Sequence, residues 1–195
     1  MEEKEKEITF KILMLGESKV GKTTFTQRFC EKKFNPNNLS TVGIEIYKKN
    51  LIRDNKSIYL EIFDTAGQDK FRSIVKNQIS GADGFLLLYD ISNKKSFDLI
   101  SNWIEEIIKI VDPKDIGLII VGNKSDLKEE REVTEEMRKD LEEKQGIKFM
   151  EASALENYNV TEAFELLIDD MLGIDSGEKQ QEEGEYYKSF KCFCF

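Results

Sequence analysis

Apolar, strand-like runs alternate along the chain with amphipathic, helix-like runs. The strand-like runs fall at residues 7–15, 43–53, 56–63, 83–90, 116–122 and 147–152, and the helix-like runs at 22–32, 68–80, 95–111, 134–145 and 159–172. Such alternation predicts an α/β fold with a mostly parallel sheet and helices on both faces. The second and third strands are separated only by Arg53-Asp54-Asn55-Lys56. That turn is too short for a crossover, so these two form an antiparallel hairpin, the one antiparallel element of a six-stranded sheet. Thr134 followed by Glu135 and Glu136 marks a helix start, a capping residue ahead of first-turn acids.

Composition narrows the picture. A chain of 195 residues with 39% hydrophobic and 34% charged residues suits one folded domain, expected over 8–172. Residues 1–7 (MEEKEKE) read as a charged, flexible extension and argue against a secretory signal. Residues 173–195 read as a flexible, polar tail. The net charge is −9 and no Lys/Arg block is present, so nucleic-acid binding is not expected. No apolar run approaches the ~20 residues that span a bilayer. Three cysteines, two of them near the end, do not make a disulfide framework, and a cytosolic setting is expected.

The strongest chemical signal is Gly16-Glu-Ser-Lys-Val-Gly21-Lys22-Thr23, directly after the first strand and opening the first helix. This G-x-x-x-x-G-K-[ST] spacing turns backbone N–H groups inward around a di- or triphosphate. The stretch Ser18, Lys19, Val20, Gly21, Lys22, Thr23 and Thr24 is therefore assigned to phosphate binding. Lys22 brings its ammonium to the terminal phosphates and the Thr23 hydroxyl is a Mg²⁺ ligand. Further motifs follow strand ends, where ligands of open α/β sheets bind. After the third strand comes Asp64-Thr-Ala-Gly67-Gln68. There Asp64 holds the Mg²⁺ shell through water, Gly67 offers its N–H to a γ-phosphate, and Gln68 orients an attacking water. After the fifth strand comes Asn123-Lys124-Ser125-Asp126. Asp126 accepts paired hydrogen bonds from the ring N–H and amine of guanine, a donor pair adenine lacks. Ser153-Ala154 after the sixth strand offers a backbone N–H to the guanine oxygen, Thr41 closes the Mg²⁺ shell, and Phe34 lies against the base. Taken singly, each of these short motifs also occurs as an ordinary turn or polar loop.

Together, Gly16–Thr23, Thr41, Asp64–Gln68, Asn123–Asp126 and Ser153-Ala154 resemble the five G-box motifs of Ras-superfamily small GTPases, over roughly residues 8–172. Lys70-Phe-Arg-Ser-Ile74, Gly81-Ala82, Gly84 to Ser92 and the terminal cysteines are similar to Rab segments. The resemblance implies a P-loop NTPase G domain that takes Mg²⁺ with GTP as substrate and GDP as product. It implies slow hydrolysis, with Gln68 and Lys22 as catalytic residues and switches near 34–45 and 65–80. It also implies a monomer engaged in vesicle trafficking, with an exchange factor, a GTPase-activating protein, effectors on the switches, a prenylation escort and a GDP-dissociation inhibitor as partners. A nucleotide-stabilised scaffold with little hydrolysis is the alternative. It is motivated by Lys19 where a small residue is usual and by an altered switch surface, with Ile46 and Phe63 where Rabs carry Phe and Trp and Gln78-Ile79 for a Tyr pair. Leu155 for the usual Lys is a further departure from the family pattern and removes one packing contact on the base without touching specificity.

The end, Lys191-Cys192-Phe-Cys194-Phe195, reads as C-a-a-X with Cys192 the acceptor, or as a C-x-C pair with both Cys192 and Cys194 modified. One lipid chain anchors only marginally without basic residues. Residues 173–195 carry five acids against three lysines, which favours two prenyl groups. The expected location is the cytosolic face of an intracellular membrane, held through that anchor.

Overall fold

In the computed structural model, residues 7–35, 41–67 and 72–174 are described, the side chains of 72–75 excepted. Gln68, Cys192 and Cys194 lie outside the described residues, as do the start of the helix expected from 68 and the tail beyond 174. The strands are β1 (Ile8–Leu15), β2 (Ile44–Arg53), β3 (Lys56–Thr65), β4 (Gly84–Asp90), β5 (Gly117–Asn123) and β6 (Lys148–Glu151). Their order across the sheet is β2-β3-β1-β4-β5-β6. Only β2 and β3 pair antiparallel, as the short turn predicts, and the other pairs are parallel. Asp54 and Asn55 both take positive φ, 50° and 58°, the twist a two-residue hairpin needs from residues that tolerate it.

The helices are α1 (Lys22–Glu31), α2 (Arg72–Ile79), α3 (Lys94–Asp98), α4 (Ile100–Ile108), α5 (Glu135–Gln145) and α6 (Val160–Leu172). Period-two alternation sends Ile12, Met14, Leu86, Leu88, Ile119 and Val121 to one face of the sheet, against Phe25 and Phe29 of α1 and Phe164 of α6. The other face presents Leu13, Leu15, Phe85, Leu87 and Ile120 to Trp103, Ile104 and Ile107 of α4. Every residue of β4 is buried, which is why a central parallel strand reads as an unbroken apolar run. The Phe29 and Phe164 rings stack with centroids 3.8 Å apart. Burying each such side chain contributes roughly 1.5–3 kcal/mol. At the far end of α1, the Lys49 ammonium reaches the Phe29 carbonyl, a cation at the negative end of the helix dipole. Arg53 pins the hairpin to α6 through a bidentate pair with buried Asp169, Nε to Oδ1 at 2.7 Å and Nη2 to Oδ2 at 2.5 Å.

Apart from one-residue shifts at element ends, two elements among the described residues differ from the sequence expectation. The helix expected over 95–111 is two helices meeting at Leu99. The first turn of α3 is tied to the end of β4: the Ser96 hydroxyl accepts the Asp90 N–H at 3.0 Å and donates to the Asn93 carbonyl at 2.7 Å. The apolar stripe of α4 is set instead by the sheet face, and the two constraints meet at Leu99. The third strand runs on to Thr65, because Asp64 and Thr65 still pair with Glu45 and Ile44. Asp64 is thus held by a sheet ladder.

The Tyr89 hydroxyl is buried and has no hydrogen-bond partner among the described residues. Burial pushes its pKa up, and the hydroxyl crowds Gly122, where an added Cβ would lie 2.5 Å from it. Leaving a buried hydroxyl unpaired costs about 1–3 kcal/mol. Tyr89→Phe is therefore expected to raise the thermal midpoint by about 2–4 °C or more, measured by differential scanning calorimetry. A lowered midpoint would mean that the hydroxyl is paired.

Candidate functional site

Between β1 and α1 the chain turns through residues 16–21. Gly16 has φ +134°, and an added Cβ would stand 2.1 Å from the Leu88 carbonyl oxygen, so no other residue fits there. Gly21, at φ 96°, provides no side-chain cap for α1, whose first ladder bond is Phe25 N–H to the Gly21 carbonyl at 2.8 Å. The positive end of the helix therefore opens on a cleft, as anion sites require. Lys22 is only 5% exposed and its ammonium donates to the carbonyls of Gly16 and Glu17 at 2.8 and 2.9 Å. Burial lowers its pKa to about 8, against the attraction of Asp64 and Glu17. An ammonium so poorly hydrated gains strongly from an incoming phosphate. Lys19 is exposed at the cleft and sits in the left-handed region at φ 69°, a conformation that costs a side-chain-bearing residue roughly 1–2 kcal/mol.

Three oxygens from three segments converge beside this loop. The Thr23 hydroxyl donates to Asp64 Oδ2 at 2.5 Å and lies 2.6 Å from the Thr41 hydroxyl, which is itself 3.4 Å from the same carboxylate oxygen. Asp64 is fully buried, and its Oδ1 has no partner among the described residues. Burial pushes its pKa up to about 6, opposed by the Thr23 hydroxyl and the Lys22 charge. A buried carboxylate with one oxygen shared by two hydroxyls and the other orphaned is a hard-oxygen donor set that fits Mg²⁺. Among the described residues no group of three or more His, Cys, Asp or Glu could hold a metal, so an ion here would need further oxygens from water or phosphate. Gly67 lies against the phosphate loop: an added Cβ would come within 2.4 Å of Glu17 C and Ser18 N.

The residues after β5 and β6 are bound into the same frame. Asn123, 1% exposed, donates its side-chain amide to the Val20 carbonyl at 2.8 Å and accepts the Ala154 N–H at 3.2 Å. The phosphate loop and the loop after β6 are thereby joined through one side chain. Lys124, at φ 64°, forms an ion pair with Asp90 at 2.5 Å. Asp126 accepts the Ser153 hydroxyl at 2.5 Å. Ser153 is fully buried behind the cleft wall, its N–H is taken by the Tyr158 carbonyl at 2.9 Å, and its hydroxyl also accepts the Glu156 N–H. Its side chain therefore orients Asp126 from behind.

The cleft has a volume of about 390 Å³, within the range of small-ligand pockets. Of the residues expected from sequence, Ser18, Lys19, Gly21, Lys22, Thr23, Thr24, Phe34, Thr41, Gly67, Asn123, Lys124, Asp126 and Ala154 line it. Val20, Asp64 and Ser153 stand behind it. Thr65, inside the Asp64–Gln68 motif, and Leu155, read above as a departure from the family pattern, line it as well, as does Asn35, which lies in no motif. Arg28 is a further unforeseen contributor. Its Nε donates to the Ala154 carbonyl at 2.9 Å and its Nη2 to the Leu155 carbonyl at 3.1 Å. In the sequence it is one more charged position on an amphipathic helix.

Comparison with known proteins agrees with this geometry. The family model described as Ras family matches residues 11–173. The chain is 43% identical over 160 residues to Ras-related protein Rab-3A of Homo sapiens, spanning 82% of this chain and 72% of that protein. It is 45% identical over 160 residues to Ras-related protein Rab-3D of Mus musculus, spanning 82% and 73%. With Ras-related protein Rab-3B of Bos taurus the identity is 44% over the same shares.

Proposed function

Because this chain belongs to the Ras family and is a Rab-like small GTPase, we propose that it is a timed switch, GTP-bound when active and GDP-bound when not. The observation that carries the proposal is that one cleft of nucleotide size is lined by both Lys22 and Asp126, with Asn123 joining the two loops. The phosphates lie along Ser18–Thr24 at the N-terminus of α1, with the Lys22 ammonium on the terminal groups. Asp126 reads the guanine donor pair, with Lys124 and Phe34 beside the base, whereas the Ser153 and Ala154 N–H groups expected at the guanine oxygen are taken by the Tyr158 carbonyl and the Asn123 side chain. Thr23, Thr41 and Asp64 hold Mg²⁺, which when bound offsets the charge that builds on the phosphates. Thr41 and Gly67 sense the γ-phosphate, so that the segments near 34–45 and 65–80 are ordered by GTP and released after hydrolysis. Gln68 orients the attacking water.

Effectors that recognise the GTP form and act in vesicle trafficking, an exchange factor and a GTPase-activating protein complete the cycle. Among the described residues no arginine lines the cleft, and intrinsic turnover is slow, on the order of 10⁻⁴ s⁻¹. Gln68→Leu is expected to slow single-turnover hydrolysis at least about tenfold while leaving GTP affinity nearly intact. Unchanged turnover would remove Gln68 from the mechanism. The overall reading is tested by denaturing the purified protein and chromatographing the nucleotide it releases. Guanine nucleotide is expected, and adenine nucleotide would end the reading.

Among the described residues no helix is long and apolar enough to cross a membrane. We assign membrane attachment to prenyl groups on Cys192 and Cys194, delivered by a prenylation escort and masked by a GDP-dissociation inhibitor. The intact mass of protein from its own cell should carry two such lipids, and a single one would overturn the double assignment.

A further inference from the structure

Arg28 lies on α1 six residues beyond Lys22, on the same helix whose N-terminus faces the phosphate pocket. Its guanidinium touches three things that line the cleft. Nε donates to the Ala154 carbonyl at 2.9 Å, Nη2 donates to the Leu155 carbonyl at 3.1 Å, and its central carbon stands 5.3 Å from the centroid of the Phe34 ring. Phe34 and the Ala154–Leu155 loop are about 120 residues apart in sequence, and the guanidinium is in contact with both. The peptide groups flanking Ala154 are fixed on both sides: its N–H is taken by Asn123 and its carbonyl by Arg28. Leu155 is 53% exposed, so little packing holds its side chain. A planar fork with donors in fixed geometry and a stacking face makes these contacts together, which an ammonium on a flexible stem does not reproduce.

We infer that Arg28 is a positioning residue for the guanine base, fixing Phe34 and the Ala154–Leu155 loop at the spacing the base needs. The inference rests on the guanine-nucleotide reading given above and adds to it a residue that reaches the base only through others. Arg28 belongs to the helix that carries Lys22 and Thr23, so it also ties the geometry of the base end to that of the phosphate end through one rigid element. Its loss should let nucleotide leave faster while the sheet, its helices and the phosphate loop stay in place.

The test is the release rate of fluorescently labelled GDP from the full chain, for wild type, Arg28→Ala, Arg28→Lys, Phe34→Leu and the Arg28→Ala/Phe34→Leu pair. Arg28→Ala is expected to release GDP about 10- to 100-fold faster, the cost of two charge-assisted hydrogen bonds shared among neighbours that partly relax. Arg28→Lys should stay within a few-fold of Arg28→Ala and provides the comparison if the alanine variant does not fold. The double variant should release no faster than the faster single variant, because both changes remove the same wall. Chelating Mg²⁺ should accelerate wild type and Arg28→Ala by the same factor, since the metal oxygens are not among the groups Arg28 holds. Release within threefold of wild type, full rescue by lysine, multiplying single effects, or a chelation factor lost in Arg28→Ala would each overturn the assignment. A wild-type chain that takes up no labelled GDP would overturn the guanine reading and this assignment together. Uptake with unchanged release from the variants overturns the assignment alone.

Discussion

Asp126→Asn is expected to lower affinity for GDP and GTP by about 10²–10⁴-fold while leaving the phosphate end intact. A carboxylate accepts both the ring N–H and the exocyclic amine of guanine, and each charge-assisted bond contributes roughly 1.5–3 kcal/mol. Asparagine offers one acceptor and sets an N–H₂ donor against another donor. The Ser153 hydroxyl, 2.5 Å from the Asp126 carboxylate, then has a neutral amide oxygen to bond, so the side chain keeps its place while losing its charge. A base with a carbonyl where guanine has its amine should regain part of the loss, because the new N–H₂ then meets an acceptor. Competition by GDP and xanthosine diphosphate against a labelled nucleotide measures both effects. If the variant loses both nucleotides equally, the substitution has damaged the loop and Asp126 is not the reader of the base.

Lys22→Met should give the second large effect, with binding falling far more than stability. The Lys22 ammonium is buried, donates to two carbonyls, and has its pKa lowered to about 8 by burial against the attraction of Asp64 and Glu17. Replacing it with an apolar side chain of similar length leaves those carbonyls unpaired and Asp64 without its nearby cation, a loss of roughly 1–3 kcal/mol or more. Measured without added nucleotide, the variant should therefore melt several degrees below wild type. Affinity for Mg-GTP should fall by at least about 10²-fold, because charge-assisted bonds to the terminal phosphates vanish. Calorimetric titration and melting of the same preparation test both halves. Affinity that falls no further than stability would mean that Lys22 supports the loop more than the ligand.

The sheet was legible in the sequence because parallel strands buried on both faces leave solid apolar runs, and because the ends of β1, β3, β5 and β6 carry motifs. Asp54-Asn55 likewise announced its hairpin. The break at Leu99 was not legible, since α3 and α4 are both amphipathic and the Ser96 hydroxyl that ties α3 to β4 has no sequence signature. In the candidate site, the motifs named Lys22, Thr23 and Asp126, which line one cleft, and Asp64 behind it. They contain Asn123 and Ser153 without showing what those hold in place, and Arg28 lies in none of them. Ser153 works from behind the wall, Asn123 spans two loops, and Arg28 acts through carbonyls distant in sequence. Contacts of that kind depend on the assembled fold, so no local pattern records them. Lys19 shows the same limit in the backbone: its substitution for a small residue could be read, but its left-handed conformation could not.

Asn123 ties the phosphate loop to the Ala154 loop through its own side chain. The disorder that two independent loops would otherwise surrender at each binding event is surrendered once, when the chain folds. Affinity gained through such preorganisation appears mainly as slow departure. The residence time of a nucleotide in this cleft is then set partly during folding, and a clock built this way is reset by whatever draws those two loops apart.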